Sequence, residues 1–283
     1  MSKKHKVRYE GDLRGVFDTH AHLYDRRYEE KSVSIEALLE NASASGVDKI
    51  VIPSDSLATS KLASSMAREY NGTAGVSLWS SVGVHPHEAS SYDGNVEEEL
   101  KKLIEDKQDL RIVAVGEIGL DYYYDLSPRD VQKDVFEKQI KLSYESDLPF
   151  ILHERDATGD CLEILRRAYK EGFLRSNPGV CHCCSMSKEA ASELIRMGFY
   201  IGFDGPLTFA NNRKGIELCS SCPVDRIVAE TDSPYLTPEP NRGRTNEPGF
   251  VPFVIEKIAQ IRGIDAEEMA RITTENALRL YEI

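Results

Sequence analysis

The sequence has no apolar run that approaches the ~18 residues of a membrane span, which excludes a transmembrane helix. It is also poor in positive charge, because 35 Lys and Arg residues face 47 Asp and Glu residues and leave a net charge of −12. Such an acidic chain gains nothing from bulk attraction to nucleic acid or to anionic lipid. A polyanionic substrate must therefore be held locally, by cations and a few basic side chains.

Cysteine is scarce, and the 283-residue chain is too long to need the disulfide framework of a small secreted domain. The six cysteines are expected to be free thiols, although Cys219 and Cys222 are spaced like half of a zinc ribbon. The basic first twelve residues are not followed by an apolar segment, so we expect no secretory signal. The composition predicts a reduced, soluble, cytoplasmic protein with no membrane contact and no obligate protein partner.

Eight short apolar segments alternate with longer amphipathic ones. The former are typical of strands buried on both faces of a parallel sheet, and the latter have helical periodicity. This alternation implies right-handed crossovers, and the length suits a barrel of roughly 250 residues without a linker or an internal repeat. We predict an α/β fold, a single (β/α)8 TIM barrel over residues 1–283, with residues 1–14 as an N-terminal extension. The predicted strands are GVFDT, KIVIP, LWSSVGV, RIVAVGE, PFILH, GVCHC, FYIGF and RIVAE.

Side chains that bind metal ions stand where five of these strands end. His20 and His22 are two residues apart, so they share one face of the first strand and can bind one ion. A lone histidine at a strand end is usually a core residue with satisfied hydrogen bonds. Here, however, four further strands each end in a potential ligand. These four residues are Glu117, His153, His182 and Asp232. Catalytic groups of such barrels cluster at the carboxyl ends of the strands, so we expect the six side chains around one mouth.

Four imidazoles and two carboxylates are more than one ion needs, because a catalytic zinc takes about three protein ligands. They suit two divalent ions that share a carboxylate and a water molecule. Glu117 is expected to bridge the ions, with the two histidines of the first strand and Asp232 on one ion and with His153 and His182 on the other. The ions would make hydroxide available near neutral pH, and Asp232 can orient that hydroxide or take its proton. Glu117 and Asp232 are therefore the catalytic candidates.

Three residues near the predicted mouth are candidate substrate contacts. His85, in GVHPHE, can contact a phosphate or protonate a leaving group, or it can belong to a turn set by the following proline. Arg155 shares the strand face of His153 and can bind phosphate oxygens bidentately, or it can form a surface ion pair. Arg242, in the long loop after the last strand, contacts substrate or is merely solvated. The tyrosines at 122–124 can stack on exposed bases or pack at the rim.

Long strings of the sequence resemble the TatD family of metal-dependent deoxyribonucleases, within the amidohydrolase-like barrels. They are FDTHAHL, SVGVHPHE, VAVGEIGLDYY, LPFILHERDA, GVCHCCS, GFYIGFDGPLTF, DRIVAETDSPYLTPEP, NRGRTNEP and TTENALRLY. The resemblance runs from Gly15 onward and implies a TIM barrel, two divalent cations and hydrolysis of phosphodiester bonds in DNA, often as a 3′-to-5′ exonuclease. The six predicted ligands fall on the metal-binding positions of the family.

Two segments depart from the family pattern. Cys184 follows Cys183 where the family usually has Phe, and Asp204 adds a carboxylate to a segment that is usually GFTG-like. Both changes leave the ligand set intact but affect the preference for substrate. The metal is open between Mg, Mn and Zn, because imidazole suits Zn or Mn and carboxylate suits Mg or Mn.

The ligand set and the resemblance together imply a nuclease that cleaves single-stranded DNA, with RNA as a further substrate, by a metal-activated hydroxide. The alternative is an ester or amide hydrolase of the same barrel type, such as a D-aminoacyl-tRNA deacylase. Many amidase-type members bridge their metals with a modified lysine where Glu117 stands here, which favours the nuclease. A non-catalytic scaffold would not need an open ring of ligands at a barrel mouth.

Overall fold

The eight strands follow one another around the sheet in chain order, and every neighbouring pair is parallel. The computed structural model describes residues 7–283. Each predicted strand is present, which confirms the (β/α)8 barrel. The strands are β1 Val16–Asp18, β2 Val47–Ile52, β3 Ser77–Val82, β4 Ile112–Asp121, β5 Phe150–Arg155, β6 Gly179–Cys181, β7 Tyr200–Phe203 and β8 Ile227–Ala229.

The helices of residues 7–283 lie between the strands and after the last one. Polar N-caps begin several of them, and at the start of α7 Ser187 accepts a hydrogen bond from the backbone N–H of Ala190. The α-helices are α1 Arg26–Glu29, α2 Ile35–Ala44, α3 Leu57–Glu69, α4 Gly94–Glu105, α5 Arg129–Glu145, α6 Thr158–Glu171, α7 Lys188–Arg196, α8 Arg213–Ser221, α9 Val251–Arg262 and α10 Ala266–Tyr281. None of them is long and apolar enough to cross a membrane.

The barrel closes between β8 and β1 through individual backbone hydrogen bonds. Thr19 N–H donates to the carbonyl of Ala229 at 3.2 Å, and beyond the strand ends Asp232 N–H donates to the carbonyl of His20 at 2.9 Å. The second contact ties the segment after β8 directly to the segment after β1. It therefore brings two of the predicted ligands together through the main chain.

Apolar packing holds the barrel from both sides. One cluster lies between the strands and the surrounding helices, and a smaller one fills the interior, where Phe17 stacks on Trp79. Helix α10 supplies Tyr281 to the interior cluster, and its hydroxyl donates to the carbonyl of Thr19 at 3.1 Å. These contacts fix the strands that carry the predicted ligands.

The predicted N-terminal extension is described from Val7 onward, and its first six residues lie outside the described part. The backbone of Val7 exchanges two hydrogen bonds with the side chain of Asn241, in the loop after β8. Tyr9 is buried and donates to Glu256 of α9 at 3.0 Å. This part of the extension therefore packs on the barrel.

The middle of β4 depends on a glycine. Gly119 pairs with His153 of β5 and has a φ of +144°, a backbone conformation that L side chains rarely adopt. A Cβ at this position would overlap the carbonyl oxygen of His153. The close approach of the two strands therefore requires glycine beside a predicted ligand.

We expect Gly119→Ala to lower the free energy of unfolding by more than ~1 kcal/mol, because both the φ angle and the contact exclude a side chain. Denaturant unfolding followed by circular dichroism measures the change. Gly159→Ala is the matched control, because Gly159 lies in α6 and an added Cβ would have nothing within 4 Å. The control is expected to be neutral or stabilising, and equal stability of both variants would contradict the expectation.

Candidate metal centre

The six predicted ligands meet at the carboxyl ends of the strands. Two of them, Glu117 and His153, lie within β4 and β5, whereas the other four follow β1, β6 and β8 by one to four residues. Strand β4 is longer than predicted, since it continues from Glu117 to Asp121. All six side chains are nonetheless directed to one place, because parallel strands of a closed barrel end around one mouth.

One group of donors surrounds Glu117 Oε1. His20 Nε2 and His22 Nε2 each lie 3.4 Å from this oxygen and 3.2 Å from one another. Asp232 Oδ1 completes the group at 3.3 Å from His22 Nε2 and 3.8 Å from His20 Nε2. Four donor atoms from three separate segments therefore converge, and the imidazole nitrogens lie 3.2–3.8 Å from one another and from the carboxylate oxygens.

A second group lies at the other carboxylate oxygen, Glu117 Oε2. His153 Nδ1 is 3.5 Å away, and His182 Nε2 is 3.7 Å away. His85 belongs to the same neighbourhood, because one of its ring nitrogens lies within 4.8 Å of donor atoms of Glu117 and His153. Each oxygen of Glu117 thus faces its own set of imidazoles.

The spacing of these donors fits metal ions. Ligands about 2.1 Å from a tetrahedral ion are separated by roughly 3.4 Å, which matches the separations in the first group. Three overlapping triads of potential ligands occur among the described residues, and Glu117 belongs to two of them. Imidazole nitrogens with carboxylate oxygens are the donors expected for Zn²⁺ or Mn²⁺.

The neighbouring histidines keep the carboxyl group of Glu117 ionised. Burial alone would raise the pKa of Glu117, but His20, His153 and His182 hold it well below its usual value. Burial lowers the pKa of His85 well below its usual value, and the neighbouring His153 adds to this effect. His85 is therefore a neutral ring at physiological pH.

Two further carboxylates orient the imidazoles from behind. Glu230 Oε1 lies 3.0 Å from His182 Nδ1, which leaves Nε2 to face Glu117. Asp121 Oδ2 lies 3.2 Å from His153 Nε2, which leaves Nδ1 to face Glu117. Such contacts fix the ring orientation and the tautomer of a metal ligand.

The sequence patterns did not identify Asp121. The signal was present, because Glu117, Gly119 and Asp121 alternate along one strand and therefore share a face. Asp121 also lies 2.9 Å from His87 Nε2, and its other oxygen accepts the backbone N–H groups of Tyr123 and Tyr124. One side chain thus connects a predicted ligand with the tyrosine segment.

The mouth has two lobes that meet at His153, His182 and Asp232. The first lobe has a volume of about 750 Å³, and its lining includes His85, Tyr124, Arg155 and Tyr235. The second lobe has a volume of about 520 Å³, and its lining includes Met186, Phe203, Asp204, Leu207 and Lys214. Arg155 also lines the second lobe.

The structure places the three predicted substrate contacts differently. His85 is buried at the base of the first lobe, and Arg155 lies at the mouth with its guanidinium 3.9 Å from the ring centre of Tyr123. Arg242 lines neither lobe, and its guanidinium lies 3.9 Å from the ring centre of Phe209. A substrate contact at Arg242 stays a prediction.

All six cysteines are free thiols, as predicted.

The fold and the site together define a class of protein, a metal-dependent hydrolase built on a (β/α)8 barrel. Residues 17–282 match the family described as TatD related DNase. The chain therefore belongs to the TatD family, as its sequence motifs predict.

The proteins and the solved structure that are similar to this chain belong to the same class. The uncharacterized metal-dependent hydrolase YabD of Bacillus subtilis is 42% identical over 268 residues, which cover 95% of this chain and 99% of the relative. A protein of Cronobacter sakazakii named 3′-5′ ssDNA/RNA exonuclease TatD is 35% identical over 87% of this chain and 91% of its own length. The crystal structure of YjjV, a TatD homologue from Escherichia coli, matches with a TM-score of 0.84 and 27% identity over 95% of this chain and 98% of its own.

We expect Asp121→Asn to weaken the binding of Zn²⁺ or Mn²⁺ by about 10- to 100-fold, because His153 would lose the carboxylate that orients its ring. Chelator competition on the metal-loaded protein measures this affinity. Asp160→Asn is the matched control, because Asp160 accepts a hydrogen bond from Tyr122 and pairs with Lys133 outside the donor cluster. Unchanged affinity in the Asp121 variant would show that His153 needs no such support.

Proposed function

We propose that this hydrolase cleaves phosphodiester bonds in single-stranded DNA or RNA and that it removes nucleotides from the 3′ end. One observation carries the proposal. The donor cluster around Glu117 opens directly onto a guanidinium, Arg155, that is flanked by two exposed tyrosines. Divalent cations, a phosphate-binding side chain and rings that can stack on bases are the elements that this reaction needs.

Two divalent ions, Mg, Mn or Zn, would be held by the six clustered residues. His20, His22 and Asp232 suit one ion, His153 and His182 suit the other, and Glu117 lies between the two sets. Bound ions would lower the pKa of a water molecule and offset the negative charge that develops on a phosphoryl oxygen. The split contacts of the Glu117 carboxylate support a pair of ions over a single one.

The protein's own side chains supply the proton chemistry. Asp232 lines both lobes and stands at the edge of the cluster, so its carboxylate can accept a proton from the attacking water. His85 Nδ1 accepts the backbone N–H of His87 at 3.1 Å, so the ring proton of neutral His85 is on Nε2. Nε2–H can then donate a hydrogen bond to a phosphoryl oxygen. A neutral donor suits this role better than the protonation of a leaving group.

Arg155 and the tyrosines suit an unpaired strand. Tyr123 and Tyr124 are 58% and 53% exposed, so bases can reach their rings. The guanidinium of Arg155 lies 3.9 Å and 4.9 Å from the two ring centres, which holds it near the donor cluster. Stacking of a base on an aromatic ring contributes roughly 1–3 kcal/mol and does not depend on sequence. Local contacts of this kind are what an acidic chain requires to hold a polyanion.

The direction of cleavage is supported by a relative. The Cronobacter protein that shares 35% identity with this chain is named a 3′-5′ exonuclease of single-stranded DNA and RNA. A single-stranded oligonucleotide labelled at its 5′ end tests the proposal, with Mg²⁺, Mn²⁺ and Zn²⁺ compared. We expect a ladder that shortens from the 3′ end and that disappears when the metal is chelated.

The double variant His153→Ala with Asp232→Ala is expected to lose at least about 1,000-fold in rate, because it removes a ligand from each proposed ion and the proposed base. The same labelled oligonucleotide measures the loss. Full activity of this variant would exclude the proposed site.

Arg155→Ala should reduce kcat/KM on the oligonucleotide by about tenfold, the effect of one hydrogen bond between charged groups. Arg129→Ala is the matched control, because Arg129 also stacks on a tyrosine, Tyr122, but does not line either lobe. We expect the control to stay within about twofold of the unaltered protein. Equal losses in both variants would argue against a phosphate contact at Arg155.

The alternative is hydrolysis of a carboxylic ester, such as the bond of a D-aminoacyl-tRNA. The same cluster could act on such a bond, so the two substrates are best compared with one metal-loaded preparation. Release of the amino acid from charged tRNA without shortening of the oligonucleotide would favour the ester hydrolase.

A further inference from the structure

The second lobe of the mouth contains a lysine that no other side chain engages. Lys214, the second residue of α8, lines this lobe and is exposed. Within residues 7–283 its ammonium group forms no ion pair and no hydrogen bond, whereas several lysines of the outer helices pair with carboxylates. The charge of Lys214 is therefore available to a ligand that enters the lobe.

The start of α8 is fixed beside the lobe. The side chain of Asn212 accepts the backbone N–H of Gly215 at 2.9 Å, and its amide donates to the carbonyl of Pro206 at 3.0 Å. Pro206 and Asn212 also line the lobe. The backbone of Lys214 is thus held at the wall of the lobe, and only its side chain has to adjust to a ligand.

The cations of the mouth lack carboxylate partners. In the described part of the chain, Arg155 lines both lobes and Lys214 lines the second, and no other lysine or arginine lines either lobe. The guanidinium of Arg155 faces the ring of Tyr123 and forms no ion pair with a described carboxylate. In an acidic protein, two such cations at one mouth indicate that a polyanion is held there locally.

Four carboxyl groups also line the second lobe, but most of them face other partners. Asp204 is buried beside Cys183. Glu154 is buried and accepts hydrogen bonds from a backbone N–H and a hydroxyl group at the start of α6. Asp232 belongs to the donor cluster. Asp156 is then the one exposed carboxylate of the lobe, so the two cations are not cancelled.

The second lobe can hold a nucleotide. Its volume of about 520 Å³ lies within the roughly 300–1,000 Å³ of small-molecule pockets. Apolar side chains of Met186, Phe203 and Leu207 line it and can pack against a sugar and a base. The two lobes meet at the donor cluster, so a strand that is cleaved there passes from one lobe into the other.

We propose that Lys214 binds the phosphate next to the scissile one, on its 5′ side, and that the strand leaves the donor cluster through the second lobe. The inference rests on the proposed nuclease function and assigns a path to its substrate. A 3′-terminal nucleoside carries no phosphate beyond the scissile one, so a further phosphate contact lies on the 5′ side. The terminal nucleoside then occupies the first lobe, where Tyr124 provides a ring for its base.

Lys214→Ala tests the contact on a single-stranded oligonucleotide labelled at its 5′ end. The metal-loaded variant is expected to lose about fivefold in kcat/KM at the first step, the effect of one exposed ion pair. Lys214→Arg keeps the charge and is expected to retain most of the activity. Arg213→Ala is the matched control, because Arg213 is also exposed at the start of α8 but lines neither lobe, and it is expected to leave the rate unchanged.

A second oligonucleotide identifies the phosphate. It carries an uncharged methylphosphonate at the linkage next to the scissile one, on the 5′ side. The unaltered protein is expected to cleave it about fivefold more slowly than the normal strand, and Lys214→Ala is expected to lower this rate no further, because the charge pair is already broken. The modified linkage also resists the next cleavage, which isolates the first step.

The outcomes separate this inference from the function on which it rests. Equal rates of the unaltered protein on the two strands overturn the role of Lys214 and leave the nuclease standing. A loss in Lys214→Ala that is equally large on the methylphosphonate strand likewise overturns it, because the lysine then acts elsewhere. If neither strand is shortened with Mg²⁺, Mn²⁺ or Zn²⁺, the nuclease function and the strand path fail together.

Discussion

The site depends on one constraint, which is that the Glu117 carboxylate is shared between two sets of imidazoles in a buried place. Its oxygens lie 3.4 Å from His20 and His22 on one side, and 3.5 Å and 3.7 Å from His153 and His182 on the other. Buried charges are tolerated only when they are paired or bound to metal. Strands that supply these donors must therefore end at the same depth, and the parallel barrel with its closing contacts between β8 and β1 meets that requirement.

The sequence was sufficient to predict which strands exist and which side chains converge, because both follow from local patterns. Runs of Val, Ile and Phe identify strands buried on both faces, and residues at the carboxyl ends of parallel strands meet in a closed barrel. The length of β4 was not predictable in the same way. Its last four residues are paired with β5, Gly119 with His153 and Asp121 with Arg155, and such a register depends on the partner strand.

Loops limited the prediction of substrate contacts. Arg155 is the last residue of β5, where the parity of the strand indicates the direction of its side chain, and His85 follows β3 by only three residues. Arg242 lies ten residues beyond Asp232 in a loop without periodicity, and the stacking of its guanidinium on Phe209 depends on a segment that follows another strand. The tautomer of His153 also required the structure, because only the position of Asp121 decides which ring nitrogen faces Glu117.

The acidic net charge and a polyanionic substrate are compatible because the relevant charges are local. At physiological ionic strength, exposed charges are screened beyond ~8 Å, so the carboxylates on the outer helices contribute little at the mouth. Within the mouth, Arg155 lines both lobes, and ions held by the donor cluster would add positive charge to the same mouth.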